Sequence, residues 1–152
     1  MSKRSRSDHR VIATYRRAQH EYEIEDTYEA GIVLQGTEVK SLRAGHAVIN
    51  EGYLVITDDE AWLHQIQIPE YSHGNRENHS PKRKRKLLLH HREIQSIKRK
   101  IQQQGYSALP LSLYFKGHRV KVELGIGRGK KLYDKRQSLK EKSSRRELRE
   151  RY

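Results

Sequence analysis

Apolar and polar residues alternate along much of this chain, and the alternation marks strands. Tyr22 and Ile24 fall on one side of an extended segment, with Glu21, Glu23 and Glu25 on the other, the pattern of a strand with one buried face. Asp26-Thr27 predicts a turn or bulge into a second extended run, Tyr28 to Gln35. Tyr53 to Thr57 and Trp62 to Ile68 read as a hairpin about Asp58-Asp59-Glu60. Further on, Leu109, Leu111, Leu113 and Phe115 alternate, and Gly117-His118 turns the chain. Val120, Val122, Leu124 and Ile126 then alternate on the partner strand, opposite Arg119, Lys121 and Glu123. Pro110 has no N–H to give to a ladder, which places its strand at an edge or beside a bulge.

Two stretches switch to the helical period. Gly36 and Gly45 bracket a short helix with Thr37 as N-cap and Val39 and Leu42 facing inward. Ile94, Ile97 and Ile101 recur at three and four residues, one face of a helix. His90 and Glu93 have capping-box spacing before it, and Gly105 suits the left-handed stop beyond it. Short strands interrupted by one or two helices predict a mainly β fold with flanking helices, a small antiparallel barrel of the OB type. Pro69 to Ser80, polar and rich in Asn and His, reads as a loop with more to do than connect.

Charge changes the picture. The formal net charge is +13, and it is unevenly placed: +5 over residues 1–17, +1 over 18–127 and +7 over 128–152. The organisation expected is a disordered basic N-terminus (1–12), a barrel domain (13–127) and a basic tail (128–152). Within the balanced middle, Lys82, Arg83, Lys84, Arg85 and Lys86 form one basic run that leads directly into Leu87, Leu88 and Leu89. A polycation of this kind is expected to stay in solvent. Tethered between core elements, it favours a polyanionic partner such as RNA over a merely solvated face. A basic membrane-surface helix would need an apolar face that the tail lacks. No apolar run is long enough to span a membrane, and no secretory signal is expected. Cytoplasm is the default.

The chemistry of an enzyme is missing. With no cysteine there is neither a disulfide nor a thiolate metal site. His73, His79, His90 and His91 have no carboxylates at ligand spacing and read as surface or RNA-facing residues. Asp58, Asp59 and Glu60 are the residues a Mg2+-dependent nuclease would use, but aspartates in a hairpin turn are ordinary structure. Gly125, Gly127 and Gly129 lie near a strand end, not before a helix, and are expected to let the backbone leave the barrel. The chain reads as a non-enzyme that needs no cofactor and no metal.

Several stretches in order resemble one family. Gly36-Thr-Glu-Val-Lys-Ser-Leu-Arg-Ala-Gly45, Arg83-Lys-Arg-Lys-Leu-Leu-Leu89, Arg92-Glu-Ile94, Arg119-Val-Lys-Val-Glu-Leu-Gly125 and Gly129-Lys-Lys-Leu-Tyr-Asp-Lys-Arg136 are similar to the segments of the SsrA-binding protein (SmpB) family. That resemblance implies an OB-like barrel that binds the tRNA-like domain of transfer-messenger RNA and delivers it to ribosomes stalled on non-stop mRNA. It implies a tail that is disordered when free and helical on the ribosome, where it occupies the decoding centre and the empty mRNA channel. Transfer-messenger RNA, the ribosome and, through the shared RNA, elongation factor Tu are the implied partners of a monomer.

Carried onto this sequence, the resemblance puts RNA-contacting positions at His20, Glu29, Leu88 and His90, with Arg43 and Lys86 nearby. The decoding segment falls on Lys131, Tyr133, Asp134, Lys135 and Arg136. Two departures stand out: His90 replaces the usual Asn after the three leucines, a weaker N-cap, and Ser80 replaces an acid before Pro81. Without the family, an rRNA-assembly protein fits the composition equally well, and Leu88 cannot be told from Leu87 or Leu89.

The tail also has helical grammar. Ser138 with Glu141 and Ser144 with Glu147 have capping-box spacing, Glu141–Arg145 and Glu147–Arg151 are i,i+4 pairs, and Lys135, Lys142, Arg145 and Arg149 would share one side. A solubilising tail is the competing reading. Circular dichroism of the isolated tail should show little helix alone and a gain of helix on adding structured RNA; identical spectra would leave only the solubilising role.

Overall fold

The structure is a computed structural model and describes residues 9–71 and 78–130. Among the described residues seven strands form one antiparallel sheet: β1 (His9–Thr14), β2 (Tyr22–Ile32), β3 (Tyr53–Thr57), β4 (Glu60–His64), β5 (Arg85–Leu88), β6 (Tyr106–Lys116) and β7 (Arg119–Gly129). Their order is β1-β6-β7-β2-β5-β4-β3. The sheet curls until β3 packs against β6, and the enclosed space holds Leu42, Leu63, Ile66, Leu113, Val122, Leu124 and Ile126. Helices α1 (Ala18–Glu21), α2 (Gly36–Arg43) and α3 (His91–Ile101) flank it. This is the mainly β, OB-like architecture expected from the alternation.

Several local expectations meet the structure directly. Pro110 sits in the interior strand β6, not at an edge, and the register shifts between Pro110 and Ser112. The bulge was therefore the correct one of the two options. Asp26-Thr27 does not end a strand: β2 is continuous, with an irregularity between Ile24 and Asp26. Helix α3 has Ile94 and Ile97 buried, and the Glu93 carboxylate accepts the His90 N–H at 3.0 Å. Gly105, at φ +85°, takes the left-handed conformation beyond it.

Other expectations are corrected. The segment expected to be a disordered N-terminus contains most of β1, which pairs with β6 from His9 to Thr14. Its alternation is weak because the strand is mostly exposed and its register shifts between Val11 and Ala13. Glu21 closes α1 before β2 starts. The N-cap of α2 is Gln35, whose N–H is taken by Glu38 Oε1 at 2.8 Å; Thr37 instead bonds His79. The glycines of β7 do not release the chain at residue 127. A Cβ on Gly127 would lie 2.4 Å from the Glu23 carbonyl oxygen, and one on Gly125 2.8 Å from Leu111 Cδ1. These positions need glycine because neighbouring groups press on the strand, and pairing continues until the Lys130 N–H reaches the Glu21 carbonyl at 2.9 Å.

The largest correction concerns the basic run. Arg85 is fully buried, as is Glu38 of α2. Arg85 Nε donates to Glu38 Oε2 at 2.5 Å, and its other nitrogens reach the carbonyls of Ile66 at 3.1 Å and Pro81 at 3.0 Å. Arg83 donates to the other Glu38 oxygen. His79, expected at the surface, lies buried beside this cluster. Its Nε2 faces the Ile68 carbonyl at 2.8 Å, an acceptor only, so Nε2 donates there, and Nδ1 meets the Thr37 hydroxyl at 2.9 Å. A buried charge is tolerable only when paired and fully hydrogen-bonded, and here strands, helix and loop all supply partners.

Burial pushes the Glu38 carboxyl up, but the hydrogen bonds from Arg83, the Gln35 N–H and Arg85 outweigh it and hold its pKa below the usual range. Its stabilising contribution is therefore complete above the ordinary glutamate pKa and is lost as pH falls through that range to the lower folded value. Glu38→Gln should cost about 3–5 kcal/mol by leaving Arg85 buried without its counter-charge. It should also flatten the acid limb of stability against pH. Urea unfolding from pH 7 downward checks both.

Candidate nucleic-acid interface

With Arg85 and Leu87 directed inward, the pleat turns Lys86 and Leu88 outward. Leu88 is 56% exposed and Leu87 only 2%, which separates residues the sequence left equivalent. Gly31 of β2 lies opposite Leu88 in the ladder. A Cβ there would come within 3.3 Å of Leu88 Cβ, so glycine leaves the leucine room to lie over the strand. Beyond Gly31 the register continues to Lys121 of β7 and Tyr114 of β6.

Gly31, Leu88 and Lys121 border a groove of about 690 Å³ between the sheet and the start of α3, with Glu29, His90 and Arg119 also among its walls. Three of the residues carried over by resemblance, Glu29, Leu88 and His90, thus come together although they stand up to 61 positions apart. Arg119 and Lys121 join them. In the sequence these two are only the polar side of a strand. That they face away from Val120 and Val122 was visible, but not that β7 lies beside β2. The other positions lie outside the groove. Lys86 shares Leu88's face yet pairs with Glu60 at 3.7 Å. Arg43 is exposed, one turn beyond the groove-lining Val39. His20 is exposed on α1, next to the place where β7 ends.

Glu29 is an acid in basic surroundings, and its geometry is held. The Tyr114 hydroxyl donates to Oε2, and Lys116 Nζ donates to Oε1 at 3.2 Å. The Tyr114 hydrogen bond, with the charges of Lys116 and Lys121, outweighs partial burial and keeps the carboxyl below its usual pKa. Burial and the same carboxylate push Tyr114 up, so it stays a donor. An ionised carboxylate is acceptor-only and has lone pairs beyond those two bonds. It suits a base amino group or a ribose hydroxyl and repels phosphate. The cations Arg119 and Lys121 suit the backbone beside it.

The acids of the β3–β4 turn do not make a metal site. Asp58 and Asp59 both have positive φ, 52° and 59°. Asp59 Oδ1 accepts from Gln95 at 3.0 Å and Lys98 at 3.4 Å, while Glu60 faces Lys86. Among the described residues no group of three or more His, Asp or Glu is placed to hold a metal ion, and no helix is long and apolar enough to cross a membrane. Lys131, Tyr133, Asp134, Lys135, Arg136, Lys142, Arg145 and Arg149 lie outside the described residues.

The model of the family described as SmpB protein matches residues 12–152. An SsrA-binding protein of Leifsonia xyli is 55% identical over 138 residues, covering 91% of this chain and 87% of the relative. One of Streptomyces coelicolor shows the same identity and coverage. One of Pseudarthrobacter chlorophenolicus is 52% identical over 149 residues, with 95% and 94% covered. Among solved structures, "tmRNA-SmpB: a journey to the center of the bacterial ribosome" is similar with a TM-score of 0.70 and 44% identity, over 84% of this chain and 93% of that one.

If the Tyr114 hydroxyl orients and ionises Glu29, Tyr114→Phe should raise the Glu29 pKa toward the ordinary carboxylate range. Titration of the side-chain carboxyl carbon by NMR reads this directly, and an unmoved midpoint would assign the depression to the lysines alone.

Proposed function

The chain belongs to the SmpB family, and on that premise we propose that it is a non-catalytic adaptor that binds the tRNA-like domain of transfer-messenger RNA. It delivers that RNA to ribosomes stalled on non-stop mRNA, in the cytoplasm and as a monomer, with elongation factor Tu joined through the shared RNA. The observation that carries the reading is the groove. An exposed leucine, an oriented carboxylate and two cations face one space of nucleotide size.

Each side chain has a distinct task. Leu88 packs on an unstacked base, as apolar and aromatic groups do in modules that read loops. Glu29 accepts from an amino group or a 2′-hydroxyl. Arg119 and Lys121 neutralise the adjoining phosphates, and His90 contacts the RNA from the start of α3. None of these tasks needs a nucleophile or a metal, which is why an adaptor fits better than a nuclease.

The C-terminal tail carries the second half of the function. It occupies the decoding centre and the empty mRNA channel, with Tyr133 stacking on a ribosomal base and Lys131, Lys135 and Arg136 on rRNA phosphates. Asp134 caps the helix that follows, along which Lys142, Arg145 and Arg149 continue the basic side. The barrel meanwhile fills the space of tRNA arms that the RNA lacks. Exposed Arg43, Lys86 and His20 extend the RNA footprint around the groove.

Leu88→Ala and Glu29→Gln should each weaken capture of transfer-messenger RNA by about tenfold, within the ~1–3 kcal/mol of one lost base contact. Truncation after Lys131 should leave capture intact and abolish tagging on stalled ribosomes. Gel-shift and tagging assays in parallel read the two separately. Equal affinity for rRNA fragments and transfer-messenger RNA at matched salt would instead favour an rRNA-assembly protein.

A further inference from the structure

The outward face of the sheet does not stop at Leu88. Across β4 and β3 the register places Trp62 between Lys86 and Val55, and pairs His64 with Tyr53. The Tyr53 and His64 rings are stacked, with centroids 5.4 Å apart and planes 19° from parallel, and Tyr53 is 44% exposed. Lys84 holds its ammonium 4.8 Å from the centre of the Trp62 ring. A hollow of about 320 Å³ lies over this patch. Nothing in the groove's role uses any of these aromatic residues.

We infer that this face is a second RNA-binding surface, one that stacks an unpaired nucleotide on Trp62 and the Tyr53–His64 pair. The proposal rests on the reading of the adjoining groove as an RNA site, because Lys84, just before β5, and Lys86 and Leu88 within it join the two surfaces. Aromatic rings interleaved with cations are what single-stranded nucleic acid requires: flat faces for bases and positive charge for the backbone. A protein partner would be expected to cover the patch with apolar contacts, yet its centre carries lysine.

The acids at the rim set the polarity of binding. Asp58 and Glu60 line the hollow at the turn end, and Glu60 already faces Lys86. Among the described residues Lys84 has no carboxylate within ion-pair distance, so phosphate is drawn to the Lys84 side and away from the turn. Lys84 must leave the Trp62 face when a base arrives. That exchange is favourable, because an exposed cation–π contact is weaker than a base–aromatic stack and the released ammonium then meets phosphate.

Trp62 is the only tryptophan of the chain, so its emission reports on this face alone. The full chain is titrated with unstructured oligoadenylate and, separately, with transfer-messenger RNA. Both should quench Trp62 saturably, and the midpoint should move to about tenfold higher RNA in a Tyr53→Ala, Lys84→Gln double variant. Leu88→Ala should weaken capture of transfer-messenger RNA while leaving oligoadenylate quenching in place, so the groove and the platform fail separately. Unchanged emission with both RNAs overturns the platform, and does so without touching the groove if gel shift shows transfer-messenger RNA bound. Quenching by RNA-free ribosomal proteins but by neither RNA assigns the face to a protein and overturns it as well. Should the double variant misfold by circular dichroism, Lys84→Gln alone decides: the slope of log affinity against log salt falls by about one, and an unaltered slope refutes the proposal.

Discussion

Glu38 and Arg85 meet inside the protein, 47 positions apart in sequence, and the outer surface is arranged by that meeting. The β2–β5 ladder has only two residue pairs, Gly31 with Leu88 and Ile32 with Leu87, too few to hold a register firmly. A slip of one residue would exchange the two faces of β5. Leu88 would enter the core, and Arg85 would go out. The ion pair forbids this, because Arg85 finds a carboxylate and two carbonyls only in the observed register. A buried charge pair adds little to stability compared with an apolar pair of the same size, and its best-attested use is to select one arrangement among several. Here the arrangement selected is the one that exposes Lys86 and Leu88.

The same pair explains what could and could not be read from the sequence. Periodicity alone located the β6–β7 hairpin and α3, because in each the buried face is contiguous in sequence; it found the β3–β4 hairpin but placed its second strand at Trp62 to Ile68, whereas β4 begins at Glu60 and ends at His64. It failed on Arg85, where five adjacent cations look alike and the distinguishing partner lies in a helix far upstream. It failed on β1, a strand recruited by pairing with β6 rather than by a hydrophobic stripe of its own. His79 was misplaced for a similar reason: its two hydrogen-bond partners, Thr37 and Ile68, are distant residues. As for the groove, Glu29, Leu88 and His90 came from family resemblance, while the two cations that complete it depend on β7 lying beside β2.

An acid among cations gives the groove selectivity that a uniformly positive surface lacks. Arg119 and Lys121 attract any polyanion, but a fixed carboxylate penalises phosphate at one point and rewards a donor there. The penalty persists because the Tyr114 hydroxyl and Lys116 keep Glu29 oriented and charged. Glu93 also lines the groove, but its carboxylate is engaged by the His90 N–H at the start of α3, which leaves Glu29 as the acid fixed on the sheet beside the two cations.

Strand β1 closes one side of the sheet, and among the described residues no strand pairs with its outer edge. Val11 on that edge is 62% exposed, and an uninterrupted ladder there would invite a second chain to add to it. The register shift between Val11 and Ala13 breaks the row of outward N–H and C=O groups, and Arg10 places a charge beside it. Bulges and charges of this kind make an edge a poor template for further strands. One irregular residue, Ile12, thus makes this edge a poor place for a second chain to add.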